Sequence, residues 1–166
     1  MNVEECMEQY GDYLYRIAYM YTKDPYIAEE VIQDVFIKYY RTNQFDGRAS
    51  LKTYLTRVTI NCCHDHMRWW KVRTPQFLQP VKKAEQATEK LMLAQVEKDE
   101  IIATLFKMPV KYREVIFLYF YDDLSVKEIA ELLHIPVSTV TTRLQRAKGK
   151  LKELLSPSDW EVLRDA

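Results

Sequence analysis

The sequence predicts an all-α chain of two small helical domains joined by a linker, the second ending in a helix-turn-helix. Three observations predict it. Apolar residues recur at helical spacing through most of the chain. Breakers are few, with three glycines and six prolines, which argues against a turn-rich β fold. Residues 74–91 change composition, with Pro75 and Pro80 followed by KKAEQATEK, and read as a linker. The expected division is therefore residues 1–73, a linker 74–91, residues 92–156 and a tail 157–166.

The first helix is expected from Val3 to Thr22, with Tyr10, Leu14, Ile17 and Tyr21 on its inner face. Asp24 and Pro25 then supply an N-cap and a first-turn proline for a second helix reaching Thr42. Ala28, Val31, Ile32, Val35 and Tyr39 form its inner stripe. Gln33, Asp34 and Ile37 lie on the other faces, an acidic surface carrying one apolar residue, which suits a protein contact. Asn43 to Ser50 is a polar loop holding one aromatic, Phe45, expected to plug the core beneath it. Ser50 can cap a third helix to about Lys71, with Leu51, Tyr54 or Leu55, Val58, Cys62 and Trp69 inward. Arg57, Asn61, His64, Arg68 and Lys71 fall on another face at spacings of four, three, four and three. Such a polar and basic stripe is a solvated face or a nucleic-acid track.

A helix from about Met92 to Phe106 opens the second domain, and a very apolar one from Lys111 to Tyr121 follows as a floor. On it should pack the stretch Leu124–Leu155. Ser125 and Glu128 form a capping box, and Ile129, Leu132 and Leu133 share one face. His134-Ile135-Pro136 breaks that helix. A second helix starts near Val137 with Val140, Leu144, Ala147 and Leu151 as a narrow apolar stripe. Its other face carries Thr141, Thr142, Gln145, Arg146 and Lys148, side chains suited to base edges in a major groove. From Val137 to Lys152 there are five bases, Arg143 among them, and no acids. A phosphate backbone rewards such clustering through counterion release.

Net charge is zero overall but unevenly placed. Residues 1–36 hold eight acids against two bases, and residues 38–73 hold eight bases against two acids. Two separate basic surfaces suggest two nucleic-acid contacts. No apolar run reaches membrane-spanning length, and Glu4, Glu5 and Glu8 crowd the start, so neither membrane insertion nor a signal peptide is expected. Cys6, Cys62 and Cys63 form no disulfide framework, and a reduced, cytoplasmic protein is the simplest reading. Cys62 and His66 lie one turn apart, beside Cys63 and His64. A structural zinc needs a second such pair, and the chain has none, so no metal and no cofactor is expected. No phosphate-cradling glycine loop or nucleophile motif is present, and a binding protein rather than an enzyme is expected.

The stretch MPVKYREVIFLYFYDDLSVKEIAELLHIPVSTVTTRLQRAKGKL resembles the C-terminal region of the extracytoplasmic-function (ECF) sigma factors of bacterial RNA polymerase. AEEVIQDVFIKYYR followed by SLKTYLTRVTINCCHDHMRW is similar to that family's N-terminal region. Ser138 stands where the family often has glycine, and Cys62, Cys63 and His66 are atypical of it. The resemblance implies that residues 1–73 are a region 2-like domain for core polymerase and the −10 element. It makes residues 92–156 a region 4-like domain for the −35 element. It assigns the −35 duplex to Thr141, Thr142, Arg143, Gln145, Arg146 and Lys148. It assigns the −10 element to Phe45, Arg57, Asn61, His64, Arg68 and Lys71, and the polymerase to Gln33, Asp34 and Ile37. Core polymerase, promoter DNA and an anti-sigma factor, membrane-anchored or not, are the implied partners. The alternative is a stand-alone helix-turn-helix regulator whose first domain senses a ligand or a partner. It explains residues 124–155 equally well but not the stripe on the third helix.

Overall fold

The computed structural model describes residues 2–42, 45–73 and 99–164, which divide into two compact units, Met1–Met92 and Leu93–Ala166. The expected linker and the first turns of the helix expected from Met92 lie outside the described residues, as do the side chains of Trp70 and Lys71. Every regular element among the described residues is an α-helix.

The first unit holds α1 (Val3–Thr22), α2 (Pro25–Thr42) and α3 (Leu51–Arg73), each packed on the other two. Asn2 and Glu5 close a capping box at the start of α1, a signal the sequence reading passed over. Ile17 to Tyr21 are all buried, because the end of α1 is enclosed by both neighbours. Lys23 turns into the left-handed region at φ 56°, and its amide donates to the Tyr19 carbonyl at 2.8 Å. Asp24 is buried and accepts from the Tyr26 and Ile27 amides at 2.8 and 3.2 Å. This is the expected N-cap, holding two of the donors a helix start leaves free.

On α3 the buried side is centred on Leu55, Thr56, Thr59, Ile60, Cys62 and Cys63. It is rotated from the expected apolar set, which placed Val58 and Trp69 inward. Two threonines explain the offset. Thr56 and Thr59 return their hydroxyls to the Lys52 and Leu55 carbonyls at 2.8 Å and so bury as small apolar groups. Trp69 is correspondingly half-exposed.

The second unit holds α4 (Asp99–Lys107), α5 (Val110–Phe120), α6 (Val126–Leu133), α7 (Val137–Leu154) and α8 (Pro157–Arg164). The floor helix α5 is buried from Tyr112 to Leu118, including Arg113 and Glu114. Arg113 donates to the Met108 carbonyl at 3.1 Å, at the C-terminal end of α4, so a buried cation caps carbonyls that the helix cannot satisfy itself. The capping box of Ser125 and Glu128 forms as expected. His134 takes the left-handed conformation at φ 55°, ends α6, and the chain turns through Ile135 and Pro136 into α7. Val140, Leu144, Ala147 and Leu151 are the buried stripe of α7. Residues 157–164 of the expected tail form α8. Ser156 Oγ accepts from the Asp159 amide at 3.3 Å, and Pro157 takes the first helical position. The Ser-Pro pair read as a stop is thus also a start.

Candidate nucleic-acid interface

In the second unit, the corner between α6 and α7 leaves one side of α7 uncovered. Thr141, Thr142, Gln145 and Arg146 are exposed along it. The Thr141 and Thr142 hydroxyls hydrogen-bond the Val137 and Ser138 carbonyls at 3.0 and 2.9 Å, which leaves their methyl groups and remaining lone pairs outward. The two other basic residues expected to bind DNA there are turned towards α5. Arg143 Nη1 lies 3.7 Å from Glu114 Oε1, on a carboxylate that is nearly buried. Lys148 Nζ sits 5.3 and 5.6 Å from the ring centres of Tyr119 and Phe120. Both anchor α7 to its floor while keeping their charge on the basic side.

At the junction of α5 and α7 is a cleft of about 320 Å³ lined by Lys111, Tyr112, Ser138, Thr139, Thr142, Arg143 and Arg146. Ser138 and Thr139 bring the first turn of α7, which has no side-chain cap at Pro136, to this cleft. Cations, hydroxyls and a helix start together suit a phosphate group. Tyr112 and Lys111 were not among the residues singled out from the sequence. Tyr112 stands in an apolar run, and helical spacing alone places it in the core.

In the first unit, the stripe on α3 lies on the side turned from the buried set. Asn61 and Arg68 are exposed; Arg57 and His64 are partly buried. Arg68 Nη2 contacts Asp65 Oδ1 at 3.3 Å, so an acid lies beside the stripe in space. His64 meets the Tyr21 ring edge-on at 5.3 Å. Arg57 Nε is enclosed with no hydrogen-bond partner. Phe45, expected to plug the core beneath its loop, is instead only half-buried and tilts against Tyr54 of α3 at 5.5 Å between centroids. Ser50 Oγ accepts from the Thr53 amide at 3.1 Å and starts that helix.

The cysteine and histidine cluster on α3 is taken up by α2. Lys38 Nζ donates to Cys62 Sγ at 3.3 Å, and His66 Nε2 is hydrogen-bonded to Asp34 Oδ2 at 2.9 Å. Burial pushes the Cys62 thiol up, and Lys38 offsets part of that rise. Among the described residues, no group of three or more His, Cys, Asp or Glu side chains is placed to hold a metal ion. On the outer side of α2, Gln33 and Ile37 are exposed, and Tyr26 and Tyr40 extend the same stripe at helical spacing. The sequence reading named only Ile37 as an exposed apolar residue there. No helix among the described residues is long and apolar enough to cross a membrane.

The chain matches two family models, sigma-70 region 2 over residues 6–70 and sigma-70 region 4 over residues 98–151. It is similar to the ECF RNA polymerase sigma factor SigW of Bacillus subtilis, 31% identical, over 91% of this chain and 87% of that protein. The ECF RNA polymerase sigma-E factor of Escherichia coli is 29% identical over 77% of this chain and 73% of its own. Among solved structures, the sigma factor RpoE in complex with the anti-sigma factor NepR from Bartonella quintana shares the fold. Its TM-score is 0.66 at 17% identity, over 91% of this chain and 94% of that one. CnrH in complex with the cytosolic domain of CnrY gives a TM-score of 0.62 at 25% identity, over 92% and 86%. Two helical units in this order, each matched by its own family model and together by full-length relatives, place the chain in the ECF sigma factors of RNA polymerase.

Proposed function

We propose that this sigma factor divides promoter recognition between its two units. The second reads the −35 element as intact duplex through the outer side of α7, and the first melts and holds the −10 element along α3. The observation that carries this is the difference in kind between the two basic surfaces. Short side chains and one exposed guanidinium crowd the first turns of α7, the geometry of major-groove reading. The α3 surface is long, runs beside a polar loop with Phe45, and ends at the half-exposed Trp69. A polar track beside aromatic groups suits an unpaired strand.

Core polymerase docks on the outer side of α2, where Gln33, Asp34 and Ile37 lie with Tyr26 and Tyr40. Acidic and apolar groups together favour a protein over DNA. An anti-sigma factor is a second partner of the same chain, since the RpoE and CnrH relatives were solved in complexes of that kind or with a cytosolic partner domain. The protein acts in the cytoplasm as a binding factor, and the polymerase supplies the catalysis. Run-off transcription with purified core polymerase on genomic fragments tests this. Promoter-selective transcripts that require the chain are expected. Binding to duplex DNA without polymerase-dependent transcripts would favour the stand-alone regulator.

A further inference from the structure

Tyr112 sits on the floor helix α5, in the cleft that Thr142 and Arg146 of α7 also line, and is 8% exposed. Its ring is nonetheless surrounded by cations. Lys111 Nζ lies 5.0 Å and Lys150 Nζ 5.5 Å from the ring centre. Arg146 lines the same cleft, and its guanidinium lies near enough to the phenol to favour the ionised form. The other side of the cleft is Ser138, Thr139 and Thr142, with Arg143 held back by Glu114. Arg146 is otherwise exposed, on a long side chain that samples many rotamers in water. A guanidinium reads guanine only in a narrow geometry, because both donors must meet two acceptors at once.

We infer that Tyr112 is a positioning residue for the base-reading arginine: its phenol oxygen holds the Arg146 guanidinium against the wall of the α5–α7 cleft and aims it into the groove. The inference rests on the reading of α7 as the duplex reader. Fixing the arginine before DNA arrives removes part of the ordering cost that an unrestrained side chain would meet on binding. The phenol suits this task because its rigid ring is clamped by packing and its oxygen is a good acceptor. Burial raises the phenol, and the nearby cations Arg146, Lys111 and Lys150 outweigh it, so Tyr112 titrates below an ordinary tyrosine. A more acidic hydroxyl is also a better donor towards a phosphate oxygen entering the cleft.

The experiment compares Tyr112→Phe, Arg146→Ala and the double variant in the full chain assembled with core polymerase, selecting from a duplex library randomised over the −35 region. Tyr112→Phe keeps the ring and its packing and removes only the oxygen. It should relax preference at the same base position as Arg146→Ala, by about three- to tenfold. The double variant should lose no more than Arg146→Ala alone. Thermal unfolding of Tyr112→Phe should match the parent. Relaxation at a different position, no relaxation, or a double variant that loses the two effects in full would overturn the inference. A second measurement needs neither DNA nor polymerase. With ¹³C-labelled tyrosine followed by NMR, the Tyr112 phenol should titrate at higher pH in Arg146→Ala than in the parent. An unchanged titration would overturn the pairing itself, whereas an Arg146→Ala loss spread evenly over all base positions would instead overturn the reading of α7 as a base reader.

Discussion

His66 Nε2 and Asp34 Oδ2 stand 2.9 Å apart and tie α3 to α2. The Asp34 side chain remains 50% exposed, so this aspartate faces both a histidine of its own fold and the surface assigned to polymerase. A polar contact this open contributes about 0.2–1 kcal/mol. Substituting Asp34 therefore disturbs two things at once, and Ile37, exposed on the same helix, separates them.

Ile37→Asp should weaken association with core polymerase at least tenfold without changing the melting temperature. His66→Ala should leave association intact and cost under about 1 kcal/mol of stability. Pull-down of core enzyme beside thermal unfolding checks both. Full retention by Ile37→Asp would move the docking surface elsewhere.

Arg146→Ala should lose about 1–3 kcal/mol of discrimination at one base position of the −35 element. Lys152, also on α7, should behave differently. Lys152→Ala should weaken all duplexes alike and lower the salt dependence of binding by about one unit of slope. Titrations of parent and variants at several salt concentrations distinguish the two behaviours.

Arg143→Ala should destabilise the second unit by about 1–3 kcal/mol, because it leaves the Glu114 carboxylate buried without this cation. The figure stays below that of a fully enclosed pair because the Arg143 side chain is 28% exposed. Lys148→Ala, which loses only a contact with two rings at the surface, should cost under about 1 kcal/mol. Urea unfolding of both variants provides the comparison.

Burial raises the Cys63 thiol well above its ordinary value of 9.0. A group raised by folding contributes stability that is present below its unfolded value and is lost as pH rises past it. Stability should therefore decline as pH rises from 9 towards 10.5, and Cys63→Ala should flatten that decline while lowering stability overall through the lost packing. Urea unfolding at pH 8, 9.5 and 10.5 is the measurement.

The helices and the corner motif were legible because their signals are local. Ser125 with Glu128, Asp24 with Pro25, and the four-three-four spacing from Val140 to Leu151 each specify structure within a few residues. The inner side of α3 was not, because Thr56 and Thr59 hide their hydroxyls in backbone bonds and pack as apolar groups. Ser156-Pro157 read as an ending because a proline that stops one helix and a proline that starts the next look the same without the serine's partner. Exposed Thr141, Thr142, Gln145 and Arg146 followed from periodicity. The inward turn of Arg143 and Lys148 did not, since it depends on Glu114, Tyr119 and Phe120 of another helix. The cleft that brings Tyr112 to Arg146 was illegible for the same reason, and so was the Asp34–His66 bridge across thirty-two residues of chain.

The division of labour between the two basic surfaces is tested most directly by transcription from linear and premelted templates side by side. Asn61→Ala with Arg68→Ala is the variant of choice, because both side chains are exposed, whereas His64 packs on Tyr21 and its loss would disturb the fold. Extruding a base costs a few kcal/mol, so the variant should recruit to the closed promoter nearly as well as the parent but open it poorly. A template carrying a premelted −10 bubble should recover part of its transcription. Equal defects on both templates, with normal permanganate reactivity of the −10 thymines, would contradict a melting role for α3.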